Sequence, residues 1–286
     1  MRAPLATLLI LGMTALPAVA VADHREWLTS VEEALTQARQ NNQLIFVDLY
    51  AEWCGWCKRL EEDVFSTPTF QEFAKDFVLL RVDTEDGAEG SRLQQRFDAY
   101  SLPTTLVLDH RRAMIAKTEG YAPAPQYVAI MEREMASFDE LIRGLERFGN
   151  TDDVRVLGTL ADEFHQRNDG DRAASLYRRM IATEQLLPDK EVRIRYQLSD
   201  ALRRAARYDE ALQELGRARS KAAQIGEEPL VQRFDLLAAQ VSLDRGDCDK
   251  AQLALEDFLG AYPTSDLVKA ARRTLRTLKS EGFQCI

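Results

Sequence analysis

Positive charge is scarce in this sequence, which has 37 lysine and arginine residues against 46 aspartate and glutamate residues. The formal net charge is therefore −9. A protein that binds nucleic acid needs a clustered positive surface, so this balance argues against that class. Disorder is also excluded, because 45% of the residues are hydrophobic and the chain can bury a core. A length of 286 residues favours two domains.

Long apolar runs are absent after residue 22, so no membrane span is predicted in the rest of the chain. The one long apolar run, Leu5 to Leu16, follows Arg2 and precedes small residues at A-x-A spacing. This pattern predicts a secretory signal peptide over residues 1–22 and an exported protein. A membrane anchor is the alternative, which Pro17 near the end of the run disfavours.

Cysteine and histidine are also rare, with four and three residues. Cys54 and Cys57 form a close pair, whereas Cys248 and Cys285 are distant from each other. A zinc site needs about four ligands, and neither a second C-x-x-C nor a histidine pair accompanies the close pair, so no metal site is predicted. A purely structural bridge between Cys54 and Cys57 would close a loop too small to restrain the unfolded chain. The close pair therefore predicts redox chemistry, which export to an oxidising compartment permits.

Helix and strand signals alternate from Trp27 to Phe148. Their alternation predicts an α/β domain over residues 23–148, with parallel strands covered by helices. Strands are expected over 44–50, 77–82, 104–108 and 113–118. The first expected helices run from the Ser30 capping box to about Asn41, and from within 54–58 to a point before Pro68. Further helices are expected after the Thr67 cap, over 90–100 and over 125–148.

Residues 149–286 carry helix signals only, with an internal repeat. Three alanines at steps of 38 and 40 residues are each followed four positions later by a large residue: Ala173 by Tyr177, Ala211 by Leu215 and Ala251 by Leu255. Paired helices at such a period form a solenoid. The segment from about 151 to 281 resembles the tetratricopeptide family, although both steps exceed its period of about 34 residues. We expect an all-α helical repeat domain here, with a plain helical bundle as the alternative.

The segment Cys54-Gly55-Trp56-Cys57 comes directly after a predicted buried strand. At the start of a helix, backbone amides and the helix dipole favour a thiolate on the first sulfur. Cys54 is therefore predicted to be the exposed nucleophile and Cys57 the buried resolving thiol, with exchange through a mixed disulfide on Cys54.

Asp48 lies in the middle of the apolar strand that precedes the cysteine pair. Burial of this carboxyl would raise its pKa, so that it accepts a proton from Cys57 near neutral pH. The alternative is that the Asp48 side chain reaches water at the strand end.

The segment 47–58 resembles the active-site segment of the thioredoxin family, and Leu102-Pro103-Thr104 resembles its cis-proline loop. The resemblance covers residues from about 26 to 140. It implies a thioredoxin fold, a cis Pro103 beside the sulfurs, and a backbone at Leu102 that is free to pair with a substrate strand. Leu102 and Pro103 are therefore expected to bind substrate, together with Trp53, Gly55 and Trp56.

The chain also departs from thioredoxin in ways that resemble exported relatives. The Cys-Gly-Trp-Cys-Lys motif and a helix split at Thr67-Pro68 resemble exported thioredoxin-like proteins, including the C-terminal domain of the periplasmic thiol:disulfide interchange protein. Thioredoxin pairs its buried aspartate with a lysine, whereas Leu79 occupies the aligned position here, which leaves the partner of Asp48 open. Trp56, where thioredoxin has proline, either tunes the potential and partner choice or only shields Cys57.

Together these features predict a periplasmic thiol–disulfide oxidoreductase that acts on protein thiols or disulfides. Its helical repeats would dock a substrate, a membrane redox partner or a second copy. It would need no cofactor beyond the Cys54–Cys57 disulfide, and the direction of electron flow stays open. The alternative is a non-enzymatic adaptor or holdase that uses the same fold only for binding.

Two further predictions concern the helical half. Cys248 and Cys285 are expected to form a structural disulfide that ties down the C-terminus, with a second redox pair as the alternative. Two arginine groups are candidates for a groove that binds acidic partners, with solvated helix faces as the alternative: Arg203, Arg204 and Arg207, and Arg272, Arg273 and Arg276.

Overall fold

The computed structural model describes residues 26–183 and 186–279, so the predicted signal peptide and Cys285 lie outside the described residues. An α/β domain comes first and a largely helical region follows it. In the first part the elements are α1 (Val31–Asn41), β1 (Leu44–Tyr50), α2 (Gly55–Leu60), a π-helical segment (Glu61–Phe65), α3 (Pro68–Ala74), β2 (Phe77–Asp83), α4 (Glu89–Arg96), β3 (Thr104–Leu108) and β4 (Met114–Glu119). The helices that follow are α5 (Ala124–Phe148), α6 (Val154–Gln166), α7 (Gly170–Ala182), α8 (Pro188–Arg204), α9 (Tyr208–Gln224), α10 (Glu228–Asp244), α11 (Cys248–Ala261) and α12 (Val268–Leu278).

The four strands form one mixed sheet in the order β2-β1-β3-β4. Only β1 and β2 run parallel, whereas β3 is antiparallel to both β1 and β4. The parallel strands that the sequence predicts are β1 and β2, and the antiparallel pair β3 and β4 makes the sheet mixed. Strand β3 pairs with β1 in the antiparallel direction. A short turn then joins β3 to β4, as is usual for antiparallel neighbours.

Local sequence signals account for most element boundaries in this domain. Ser30 caps α1 by accepting a hydrogen bond from the Glu33 amide, and Thr67 caps α3 in the same way from Phe70. The helix after the cysteine pair changes to π geometry at Glu61 and ends before Pro68, as expected for a split helix. Helix α4 is shorter than predicted, because the chain leaves helical geometry at Phe97 and Asp98 takes a left-handed φ of 49°.

The helices from α5 onward pack in sequence order, each of α6 to α11 against the next helix in the chain. The alanines of the internal repeat, Ala173, Ala211 and Ala251, are all buried, which explains their spacing. A continuous hydrophobic core extends from one face of the sheet through α5 to α10. Within the described part of the chain, no helix has both the length and the apolar character that a membrane span requires.

The turn between α6 and α7 contacts the turn between β3 and β4. Asn168 donates from Nδ2 to the Arg112 carbonyl at 2.9 Å, and Arg167 donates from Nη1 to the Ile115 carbonyl at 3.1 Å. The Met114 amide donates to the Arg167 carbonyl at 2.6 Å. These bonds join the sheet domain to the helical region away from the cysteine pair.

Candidate active site

The Cys54–Cys57 pair lies where β1 ends and α2 begins. Cys54 is the N-cap residue of α2, and the Cys57 amide donates a hydrogen bond to Cys54 Sγ at 3.1 Å. The two sulfurs form a disulfide with a length of 2.03 Å. The amide places a donor on the sulfur that was predicted to be the nucleophile, and such a donor stabilises a thiolate.

The prediction that Cys54 is exposed is wrong for the disulfide form. Cys54 is only 4% exposed, compared with 1% for Cys57. Both residues pack in a small cluster with Ala51, Tyr50 and Leu102. Tyr50 and Ala51 come from the chain just before the motif, whereas Leu102 comes from the loop before β3, which is distant in sequence.

Asp48 is buried, as predicted from its place in an apolar strand. It is 1% exposed, so the alternative in which its carboxyl reaches water is wrong. Burial raises the pKa of Asp48 from 3.8 to about 7, against the opposing effect of the nearby Arg81 charge. A carboxyl with this pKa exchanges a proton readily near neutral pH.

Arg81 is the charged partner of Asp48 that the sequence analysis did not find. The register of β1 and β2 places the two residues directly opposite, with Arg81 Nε 3.3 Å from Asp48 Oδ2. This contact lacks hydrogen-bond geometry, and within the described part of the chain both buried Asp48 oxygens have no hydrogen-bond donor. The aligned Leu79 instead pairs with Phe46, two residues earlier on each strand. Arg81 is the only charged residue between 77 and 82, which was the signal that could have identified it.

Glu61 and Tyr50 complete the surroundings of Arg81. Arg81 Nη1 lies 2.7 Å from Glu61 Oε1, which holds the pKa of Glu61 below its usual value. The guanidinium also lies over the Tyr50 ring, 4.5 Å from its centroid. Because Arg81 also forms an ion pair with Glu61, less of its charge is available to keep Asp48 ionised. The negative charge of Glu61 itself raises the pKa of Asp48.

The loop before β3 supplies the opposite side of the site. The Leu102–Pro103 peptide bond is cis, the geometry that the thioredoxin resemblance implies. The Pro103 carbonyl accepts a hydrogen bond from the Gly120 amide at 2.8 Å, and Leu102 packs on the cysteine cluster. The structure thus brings Leu102 and the cysteines together from positions almost fifty residues apart in the sequence.

Exposed aromatic side chains flank the disulfide. Trp53 is 68% exposed and donates from Nε1 to Glu85 Oε1 at 2.8 Å. Trp56 is 56% exposed and lies against Tyr121, with ring centroids 5.6 Å apart. Between the two tryptophans, Gly55 has open space around its Cα, where an added Cβ would meet no atom within 4 Å. An accessible apolar surface of this kind suits an extended polypeptide.

The contact between Trp56 and Tyr121 was not predicted, and the charged side chains of Arg59 and Asp63 adjoin it. Arg59 lies over the rings of Trp56 and Tyr121, 5.7 and 5.6 Å from their centroids. Asp63 Oδ2 accepts hydrogen bonds from Arg59 Nε at 3.0 Å and from the Tyr121 hydroxyl at 3.1 Å. Tyr121 follows Gly120 after β4, so only the sheet topology brings it beside the motif.

The first arginine group predicted for an acidic partner is engaged within the protein. Arg203 and Arg204 form ion pairs with Asp200, and Arg203 also pairs with Asp244. Arg207 pairs with Glu210 at 2.7 Å. The carboxylates of α8, α9 and α10 therefore already pair with this group, and its role in binding an acidic partner stays a prediction. The second group, Arg272, Arg273 and Arg276, is exposed on α12.

Cys248 begins α11 and is disulfide-bonded. Cys285 lies outside the described residues, so its predicted bridge to Cys248 stays a prediction.

Comparisons with known proteins agree with this geometry for the first part of the chain. The model of the thioredoxin-like family matches residues 26–110. The thiol:disulfide interchange protein DsbD of Haemophilus ducreyi is 34% identical over 110 residues, which are 37% of this chain and 19% of that protein. DsbD of Pseudomonas fluorescens is 40% identical over 77 residues, or 27% of this chain and 13% of that protein. The chain thus spans less than a fifth of the length of these curated relatives.

Among solved structures, the oxidised C-terminal domain of Neisseria meningitidis DsbD matches with a TM-score of 0.33 and 15% identity, over 38% of this chain and 99% of that domain. A putative disulphide-isomerase from Bacteroides thetaiotaomicron matches with a TM-score of 0.34 and 31% identity, over 37% of this chain and 87% of that chain. The family match and the site geometry apply to the same segment, and residues 26–110 of this chain therefore form a thioredoxin-like domain.

Proposed function

We propose that this protein is an exported thiol–disulfide oxidoreductase that exchanges electrons with other proteins through Cys54 and Cys57. The observation that carries the proposal is the cysteine pair at the N-terminus of α2, with the Cys57 amide donating to Cys54 Sγ. Sequence similarity to the thiol:disulfide interchange proteins over the same segment supports it.

In the reductive direction, the Cys54 thiolate attacks one sulfur of a substrate disulfide and displaces the other as a thiolate. The mixed disulfide on Cys54 is then attacked by Cys57, whose proton passes to the carboxylate of Asp48. Cys57 bonds to Cys54 and releases the second substrate thiolate, so two electrons have moved to the substrate. The oxidative direction is the reverse of these steps.

Substrate contact is assigned to the surface around the disulfide. Trp53 and Trp56 present exposed rings on either side of Gly55. Leu102 packs against the cysteine cluster from the loop before β3, where Pro103 follows it in a cis peptide bond. An extended segment of a client protein would lie across this surface. We further propose that the protein acts in the periplasm, and that its helical repeats dock a client or a membrane redox partner.

The decisive experiment is a redox titration of the chain without residues 1–22 in glutathione buffers, with each cysteine pair followed by alkylation and mass spectrometry. Cys54 and Cys57 should titrate as one two-electron couple. A potential of about −270 mV would identify a reductant. A potential of about −120 mV would identify an oxidant that donates disulfides. The control variant, with Cys248 and Cys285 both replaced by serine, should leave this potential unchanged.

The adaptor or holdase alternative predicts a different outcome for Cys54→Ser. If that variant keeps full biological activity, binding rather than exchange is the function and the proposal fails. The Cys57→Ala variant should accumulate clients and redox partners as mixed disulfides on Cys54, which mass spectrometry can identify.

A further inference from the structure

A cleft of about 340 Å³ lies between the sheet domain and the helical region, away from the cysteine pair. The sheet domain contributes α1, the end of α4 and the turn between β3 and β4. The helical region contributes the turn between α6 and α7 and the end of α8. Five of the residues that line this cleft are arginines: Arg39, Arg96, Arg111, Arg112 and Arg204. We call this feature the basic cleft.

Three of the five arginines already have a carboxylate partner. Arg111 pairs with Asp109 at 3.0 Å and Arg204 with Asp200 at 2.9 Å. Arg112 makes a longer contact of 3.6 Å with the exposed Glu32. Among the described residues, none forms an ion pair or hydrogen bond with the side chain of Arg39 or Arg96. The cleft therefore carries more positive charge than its own partners neutralise.

Arg96 differs from the other four arginines, because it is partly buried and no described residue forms an ion pair with it. Burial, followed by the nearby charge of Arg112, lowers the pKa of Arg96 below its usual value, to about 10. Asp244 of the helical region opposes this shift, but its oxygens already accept hydrogen bonds from Arg203 and from Gln240. A buried charge normally has a partner, so the surroundings of Arg96 favour the binding of an anion.

The acidic residues of the cleft restrict the size of that anion. Asp169 is engaged by Arg172, and Asp171 lies 3.5 Å from Arg207. Together with Glu32, these carboxylates border the arginines and would repel a long polyanion. Arginine presents a planar fork of donors that matches the oxygens of carboxylate and phosphate groups.

We propose that the basic cleft is a binding site for a small dianion with oxygen acceptors, held by Arg96 of α4 and Arg112 of the β3–β4 turn. The dianion carries either a phosphate-like group or two carboxylates. The cleft is formed by both parts of the chain, so a bound dianion contacts the sheet domain and the helical region together. Occupancy would therefore hold the two parts in one arrangement.

The test is isothermal titration of the oxidised chain without residues 1–22, using inorganic phosphate, sulfate and succinate as probes. Sodium chloride at matched ionic strength controls for screening. We expect saturable binding of at least one probe, and about tenfold to a hundredfold weaker binding by Arg96→Gln, from loss of a charge-assisted hydrogen bond. Arg92→Gln is the matched control, because this residue lies one turn earlier on α4 and does not line the cleft.

The result identifies the ligand class as well as the site. Preference for phosphate and sulfate indicates a tetrahedral group, and preference for succinate indicates a dicarboxylate. Binding of none of the three probes, or equal binding by wild type and Arg96→Gln, overturns the proposal. If Arg96→Gln fails to fold by circular dichroism, Arg112→Gln serves as the second variant with the same expectation. Neither readout involves Cys54 or Cys57, so failure here leaves the proposed redox function intact.

Discussion

At the scale of single residues, Asp48 is controlled by its burial and by one cross-strand charge. None of the described residues donates a hydrogen bond to its carboxyl, and Arg81 reduces but does not cancel the cost of ionising it. The apolar strand around Asp48 predicted a buried carboxyl. The identity of its partner required the register between β1 and β2, because Arg81 lies thirty-three positions further along the chain.

This environment predicts how stability depends on pH. The folded pKa of Asp48 is raised from 3.8 to about 7, so its contribution to stability is full below pH about 4 and lost as pH rises through about 7. Asp48→Asn removes this pH-dependent loss of stability, because asparagine does not ionise. Relative to wild type, the oxidised variant should therefore gain about 2–3 kcal/mol between pH 5 and pH 8, measured by urea unfolding.

Asp139→Asn is the control for this prediction, since Asp139 is an exposed carboxyl on α5. It should keep the wild-type pH dependence. If Asp48→Asn shows the same dependence as wild type, the buried carboxyl is not the titrating group. Arg81→Met should move the wild-type loss of stability to higher pH, because Arg81 lowers the pKa of Asp48.

At the scale of elements, the split helix after the cysteine pair is defined by a local cap. Thr67 Oγ1 donates to the Val64 carbonyl at 2.7 Å and accepts from the Phe70 amide at 3.3 Å. One hydroxyl therefore ends the π-helical segment and begins α3. The sequence predicted this boundary, because Thr67-Pro68 is a helix-start signal that needs no tertiary contact.

We expect Thr67→Ala to lower the free energy of unfolding by about 1 kcal/mol, the usual cost of losing a helix N-cap. Thr159→Ala is the matched control, because Thr159 is exposed within α6 and caps no helix. Its hydroxyl donates only to the Arg155 carbonyl of the same helix. Alanine is a better helix former than threonine, so that control should be neutral or slightly stabilising. Equal loss in both variants would show that the cap contributes nothing specific.

At the scale of the whole molecule, Asn168 connects the helical region to the sheet domain. It is 2% exposed, has a left-handed φ of 58° and donates to the Arg112 carbonyl. Asparagine tolerates this backbone conformation better than most residues, and its amide supplies the contact. The residues next to Asn168 do not specify this contact, because the partner carbonyl comes from the other part of the chain.

Two substitutions separate these roles of Asn168. Asn168→Gly keeps the backbone conformation but loses the amide, and should lower the free energy of unfolding by about 1–2 kcal/mol. Asn168→Ala should cost about 1 kcal/mol more, because alanine also disfavours a positive φ. Hydrogen exchange should show faster opening of residues 109–115 in both variants. Wild-type stability and exchange in Asn168→Gly would contradict the role of this contact.

The sequence by itself determined the features that depend on neighbouring residues. These are the alternation of helices and strands, the caps at Ser30 and Thr67, the cysteine pair at a helix start and the burial of Asp48. Each follows from periodicity, capping or spacing within a few residues, so local chemistry is sufficient to specify it.

Only the tertiary structure decided which distant residues meet. Strand register paired Asp48 with Arg81, and sheet topology brought Leu102 and Tyr121 beside the cysteine motif. The same packing paired Arg203 with Asp244 and brought Arg96 into the basic cleft, where none of the described residues forms an ion pair with it. Such contacts depend on how elements far apart in sequence are oriented, and no local propensity encodes that orientation.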